Sequence, residues 1–130
     1  MPNRSVQLEL DPKVSVAPQS IGGAVNGAGV DLAGCDAALI LLDSGAATTP
    51  ATVKVQESVD DTTFTDVADS DLIGLTGNAA GVAQVADTVV KVSYIGSQRY
   101  VRVVTTAGAA ALFSAEVLLA HLRRGGPQPV

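Results

Sequence analysis

The run CDAALILLDSG, residues 35–45, decides the fold. Residues 37–42 are apolar without interruption, and turn formers stand on both sides, Gly34 before and Ser44-Gly45 after. Such a run is either a strand or a piece of buried helix, and periodicity alone does not separate the two. Length does. From Cys35 to Asp43 there are nine residues, short for a helix, and both ends carry turn residues. We read a strand buried on both faces in the middle of a sandwich, with Leu41 as a core side chain.

The flanking sequence repeats the strand signal. In TVKVQESV, residues 52–59, Val53 and Val55 fall on one face while Lys54 and Gln56 fall on the other. Asp60-Asp61-Thr62-Thr63 is turn chemistry, since Asp side chains accept from backbone N–H groups two residues on. Phe64-Thr65-Asp66-Val67 is the return strand, so residues 52–67 form a β-hairpin. Three more strands follow at residues 88–94, 99–105 and 113–121, with Gly96-Ser97 and Gly108 in the turns. Upstream, residues 6–10 and 14–16 alternate at period two, next to Pro12 and Pro18. Proline there points to edge strands or arms, where a missing N–H does no harm. Residues 21–34, with five glycines, read as loop plus a short strand at 29–32, and the Gly/Ala-rich 68–86 reads as a long excursion.

The sum is an all-β protein: an antiparallel β-sandwich, jelly-roll-like, of about eight strands with extended N- and C-terminal segments. Residues 1–18 form an N-terminal arm or edge strands, 19–124 the sandwich, and 125–130 a flexible tail.

Composition sets limits on function. The 130 residues are 47% hydrophobic and 16% charged, which excludes disorder. With two Tyr, two Phe and no Trp, the core must come from Val, Leu, Ile and Ala. A net charge of −5 argues against nucleic acid, whose binders neutralise phosphates with Lys and Arg. The single Cys35 excludes an internal disulfide framework and reads as a small buried residue. The polar N-terminus is not a signal peptide, and the longest apolar run is too short to span a bilayer. The expectation is a soluble protein made without an export signal, bound to neither nucleic acid nor membrane.

No catalytic constellation emerges. The one histidine, His121, ends an apolar strand beside Arg123 and Arg124, and no Gly-x-Ser-x-Gly elbow is present. Glu57, Asp60, Asp61, Asp66, Asp69 and Asp71 could supply oxygens to Ca²⁺, but they lack the spacing of a calcium loop. They read as turn chemistry and a solvated acidic rim. The glycines of 21–34 precede no Lys-Ser/Thr and no helix, so they cradle no phosphate. We expect no enzyme activity, no metal and no cofactor. In YIGSQRYVRVV, residues 94–104, period two puts Arg99, Val101 and Val103 on one face and Tyr100, Arg102 and Val104 on the other. Arginine and tyrosine suit a protein interface; pairing of the arginines with the acidic hairpin is the structural alternative. Candidate interface residues are Arg99, Tyr100 and Arg102, with Val6, Leu8 and Leu10 of the N-terminal arm.

Three blocks, GVDLAGCDAALILL, VKVQESVDDTTFTDV and YIGSQRYVRVV, followed by the end HLRRGGPQPV, give an order that resembles the head decoration (cement) proteins of tailed bacteriophages over about residues 20–125. The resemblance implies a β-sandwich on the virion surface. It would bind the major capsid protein on the outside of an assembled capsid as a homodimer or homotrimer and reinforce it, after synthesis in the host cytoplasm. The alternative is a carbohydrate- or receptor-binding module of a phage tail or neck, which the scarcity of aromatics weakens.

Overall fold

The computed structural model describes residues 10–35 and 37–120. Among them are eleven strands: β1 (Leu10–Ile21), β2 (Val25–Asn26), β3 (Val30–Asp31), β4 (Ala37–Ser44), β5 (Thr49–Ser58), β6 (Thr65–Asp66), β7 (Leu72–Ile73), β8 (Val82–Ala83), β9 (Thr88–Tyr94), β10 (Tyr100–Ala109) and β11 (Ala111–Ala120). A 3₁₀ turn at Asp69–Asp71 is the one helical element among these residues. The strands form two antiparallel sheets. The first has the order β1-β11-β4-β9-β7; the second runs β2-β10-β5-β6, with β3 also on β10 and β8 also on β5.

The pairing follows a chain doubled on itself and rolled up. β1 lies on β11, β2 and β3 on β10, β4 on β9, and β5 on β6, which is the jelly-roll scheme. The strand number is eleven, not eight, because two edges are built in pieces. β2 and β3 share one edge of β10, β6 and β8 share one edge of β5, and β7 is added outside β9. The hairpin at residues 52–67 is present, pairing Gln56 with Asp66 and Glu57 with Thr65.

The core lies between the sheets as straight rows of small aliphatic side chains. Val117, Ile40 and Val92 stand side by side in the first sheet, all fully buried. Leu119, Ala38, Tyr94 and Leu72 form the next row. Val53 and Val55 of β5 and Val101 and Val103 of β10 cover them from the second sheet, each fully buried. Two sequence expectations need correction here. β4 is buried on one face only: Ala38, Ile40 and Leu42 enter the core, while Leu39 and Leu41 are half-exposed on the outer face. A sandwich has two layers, so even the middle strand of a sheet has one uncovered side. In β10 the core face carries no charge: Val101, Val103 and Thr105 are buried there, and Arg99 precedes the strand instead of sharing that face with Val101.

Residues 10–18 are the first part of β1, continuous with 19–21 and paired along β11. β1 is an edge strand, which is why Pro12 and Pro18 fit within it. Register shifts between Val14 and Val16, and again before Gln19, bend it. At the first bend Ser15 reaches across to the second sheet. Its hydroxyl accepts from Val103 N–H at 2.9 Å and donates to the Ala28 carbonyl at 2.9 Å. Ser15 thus supplies the partner that β10 lacks where β2 and β3 are interrupted. A Cβ on Gly27 would collide with the Val103 carbonyl oxygen and with Ser15, so only glycine allows this approach.

The Gly/Ala-rich 68–86 closes the opposite edge. Between β6 and β8, Val55 of β5 is held by the fully buried side chain of Asn78. Its amide oxygen accepts from Val55 N–H, and its NH₂ donates to the Val55 and Val67 carbonyls, all at 2.8 Å. One side-chain amide therefore does the work of a missing piece of strand.

Candidate interaction surfaces

The outer face of the second sheet is polar, and its charged side chains already have partners within the chain. Arg99 donates from Nε to Asp31 Oδ1 and from Nη2 to Asp31 Oδ2, both at 2.9 Å. This fork, with a further bond from Ala33 N–H, pulls the Asp31 carboxyl down to about 2, and the same bond raises Arg99. The Arg99 guanidinium also lies 5.3 Å from the Tyr100 ring centre. Arg102 donates from Nε and Nη2 to Gln56 Oε1, at 3.0 and 2.8 Å, and stacks 4.0 Å from the Phe64 ring centre. Beside it Asp66 accepts from Gln56 and from Lys54. So the structure places Arg99, Tyr100 and Arg102 together on one face, each with an intramolecular contact. Neither arginine pairs with a carboxylate of the acidic hairpin. Arg99 takes Asp31 from the glycine-rich segment, and Arg102 takes an amide and a ring.

The six acids of residues 57–71 do not converge. Asp60 Oδ1 accepts from Ser58 Oγ and from the N–H groups of Thr62 and Thr63; those two backbone bonds are the main reason its carboxyl is lowered. Asp69 accepts from Gly77 N–H and Asn78 N–H, is lowered by them, and so places Asn78 for its buried role. Asp66 is lowered first by Gln56 and then by Lys54. Glu57 accepts from Tyr94 OH at 2.7 Å, and burial, reinforced by that carboxylate, pushes the Tyr94 phenol up. Each of these four acids has its own structural duty. Among the described residues no three His, Cys, Asp or Glu side chains are grouped to hold a metal ion.

The outer face of the first sheet is different. Register and burial put two rows there: a mostly apolar one, Pro12, Leu118, Leu39, Ser93 and Ile73, and one in which Val14 and Leu41 alternate with the charged Glu116 and Lys91. Val14 is 53% exposed, Ile73 59% and Val89 59%. Leu10, paired with Ala120 at one end of this face, is the part of the arm prediction that the structure describes. Val6 and Leu8 lie outside the described residues. Sequence reasoning missed Leu39, Leu41 and Leu118 as surface residues. The signal was available: an unbroken apolar strand in a two-layer fold has to show every second side chain to the outside.

Comparison of the chain with protein-family models, with curated proteins and with solved structures gives no match. No helix of the described residues is long and apolar enough to cross a membrane.

Proposed function

We propose that this protein is a structural component of a tailed-bacteriophage virion that binds the outer surface of the assembled capsid as a homo-oligomer and stabilises it. One observation carries the proposal: a jelly-roll sandwich presents Leu39, Leu41, Leu118, Val14 and Ile73 on the outer face of one sheet, opposite a polar face whose charged side chains already have partners within the chain. Apolar side chains gathered on one sheet face mark contact with another protein. The order of sequence blocks that resembles head decoration proteins names the class of assembly. Among the described residues β1 ends its sheet, and it adds a second means of attachment, since a strand edge can pair with a partner backbone. Several weak contacts made at once across a subunit boundary give a small protein enough hold on a shell.

The test is co-sedimentation of the purified protein with capsids assembled from the major capsid protein of the same virus. Saturable binding and a higher disruption temperature of the shell are expected. Removal of residues 1–12 should weaken binding while leaving a folded sandwich by far-UV circular dichroism. A parent protein that stays in the supernatant at micromolar concentration overturns the proposal.

A further inference from the structure

We infer that the apolar outer face of the first sheet is covered by a second copy of this chain, stacked about a twofold axis that runs along β4. The inference rests on reading this face as a protein-binding surface; it assigns the face to the self-contact of the homo-oligomer and leaves attachment to the capsid to the edge of β1 and the rest of the surface.

Three features of the face point to self-association. First, β4 is the central strand of five, with β11 and β1 on one side and β9 and β7 on the other. A twofold axis lying in the plane of contact and along β4 places β4 on itself, β11 on the partner's β9, and β1 on the partner's β7. Leu39 and Leu41 then meet their own copies, Leu118 meets the partner's Ser93, and Pro12 meets the partner's Ile73. Second, the charges on the two rows fit this operation. Glu116, Leu41 and Lys91 stand in one row across three neighbouring strands, so the acid and the base flank the axis on opposite sides. The rotation sets Glu116 over the partner's Lys91 and Lys91 over the partner's Glu116, giving two ion pairs by symmetry. A twofold axis across the strands at this row would instead set Glu116 against Glu116 and Lys91 against Lys91. Third, the area is that of a small, weak dimer. β1, β11, β4 and β9, about 4.8 Å apart with about six residues of each at about 3.3 Å, and the two residues of β7 cover roughly 400 Å² per copy. Both copies together lose roughly 800 Å², in the range of weak, transient association.

Asp43, the other charge on β4's outer side, is exposed and lies two residues from Leu41. On this axis it faces its own copy at the end of the stripe, a repulsion set against the two Glu116–Lys91 pairs.

Sedimentation velocity on the full chain, without capsid, tests the inference. The parent should sediment as a dimer. Lys91→Glu and Glu116→Lys, each alone, should weaken dimerisation by about tenfold or more, because each sets like charges together across the axis. The double swap should restore the dimer to within about threefold of the parent, since the two ion pairs re-form with the signs exchanged. Leu41→Asp should give a folded monomer by circular dichroism. A monomeric or trimeric parent, or a double swap no better than the singles, overturns the inference. Capsid co-sedimentation is scored separately. A monomeric parent that binds capsids keeps the proposed function and removes the dimer, whereas a charge-rescued dimer that binds no capsid does the reverse.

Discussion

The two outer faces of the sandwich solve the same problem in opposite ways. Each belongs to a sheet whose inner face is filled by Val, Leu and Ile. On the second sheet the outward positions of β10 and β5 are Tyr100, Arg102, Gln56 and Lys54, and a fork, a stacked guanidinium and two side-chain hydrogen bonds knit them together. On the first sheet the outward positions of β4 and β11 include Leu39, Leu41 and Leu118, with Glu116 and Lys91 set apart on either side of Leu41. The arginine-rich strand, which looks like the interface in sequence, spends its chemistry within the chain. The leucine-rich strand, which looks like core, gives half of its side chains to the outside. Residue type alone misassigns both; the layer count of the fold corrects them.

The largest expected effect separates the two sides of a single strand. Leu42→Ala should cost about 2–5 kcal/mol of unfolding free energy, because the fully buried side chain leaves a cavity in the core row it shares with Ala115 and Val90. Leu41→Ala, one residue away but on the outer face, should cost under about 1 kcal/mol when measured at concentrations low enough for the protein to be monomeric. Urea denaturation of the two variants gives the numbers. Equal losses would mean that β4 is covered on both sides within one chain, and the contrast between faces would be broken.

Next in size is the edge closure by Asn78. Asn78→Ala removes three hydrogen bonds and leaves the Val55 N–H and the Val67 carbonyl without the amide, while Val55 O keeps the bond from Val67 N–H. The cost should be about 2–4 kcal/mol, the desolvation of buried groups left unpaired. Asn78→Asp should be at least as damaging at neutral pH, since a carboxylate cannot donate to those carbonyls and would be buried charged. Amide exchange at Val55 reports the site directly, and protection unchanged in Asn78→Ala would show that water or backbone replaces the side chain.

Much of this architecture was legible in the chain and some of it was not, for physical reasons. Period-two alternation at 52–59, 88–94 and 99–105 identified β5, β9 and β10 because one side chain in two meets the core. The apolar run of β4 identified a strand but not which side was inward, since a uniform run carries no phase. The short strands β2, β3, β7 and β8 are two residues each, too short for any pattern. Asn78 was invisible because nothing in NAA says that an amide will stand in for a strand. Arg99 and Asp31 are 68 residues apart, a pairing that only the roll-up of β3 against β10 creates.

A smaller effect sharpens the polar face. Arg102→Ala should cost about 1 kcal/mol, through the lost stacking on Phe64 and the bonds to Gln56. Arg102→Lys should recover little of it, because an ammonium cannot stack its plane on the ring or fork to one oxygen. If Arg102→Ala left stability unchanged while abolishing capsid co-sedimentation, the polar face would be the contact surface and the comparison between faces would turn round.

The smallest effect concerns Asp31 and Arg99, an exposed pair with side chains about half in solvent. Its signature is a titration and not a melting point. Asp31 is depressed from 3.8 to about 2 by Arg99 first and by Ala33 N–H second. A carboxyl depressed on folding contributes stability that is complete above its unfolded value and disappears as pH falls through the folded one. The contribution is therefore intact above about pH 4 and gone by about pH 2. Carboxyl NMR should show the Asp31 midpoint near 2 in the parent. In Arg99→Gln it should move up only part of the way toward 3.8, since the Ala33 bond remains. Added salt should raise it in the parent and hardly at all in the variant, because screening acts on the ion pair and not on the backbone bond. A midpoint that ignores both the substitution and the salt would mean that the fork is not populated in solution. Arg99 would then be available to a partner, and the polar face would no longer be the self-satisfied one.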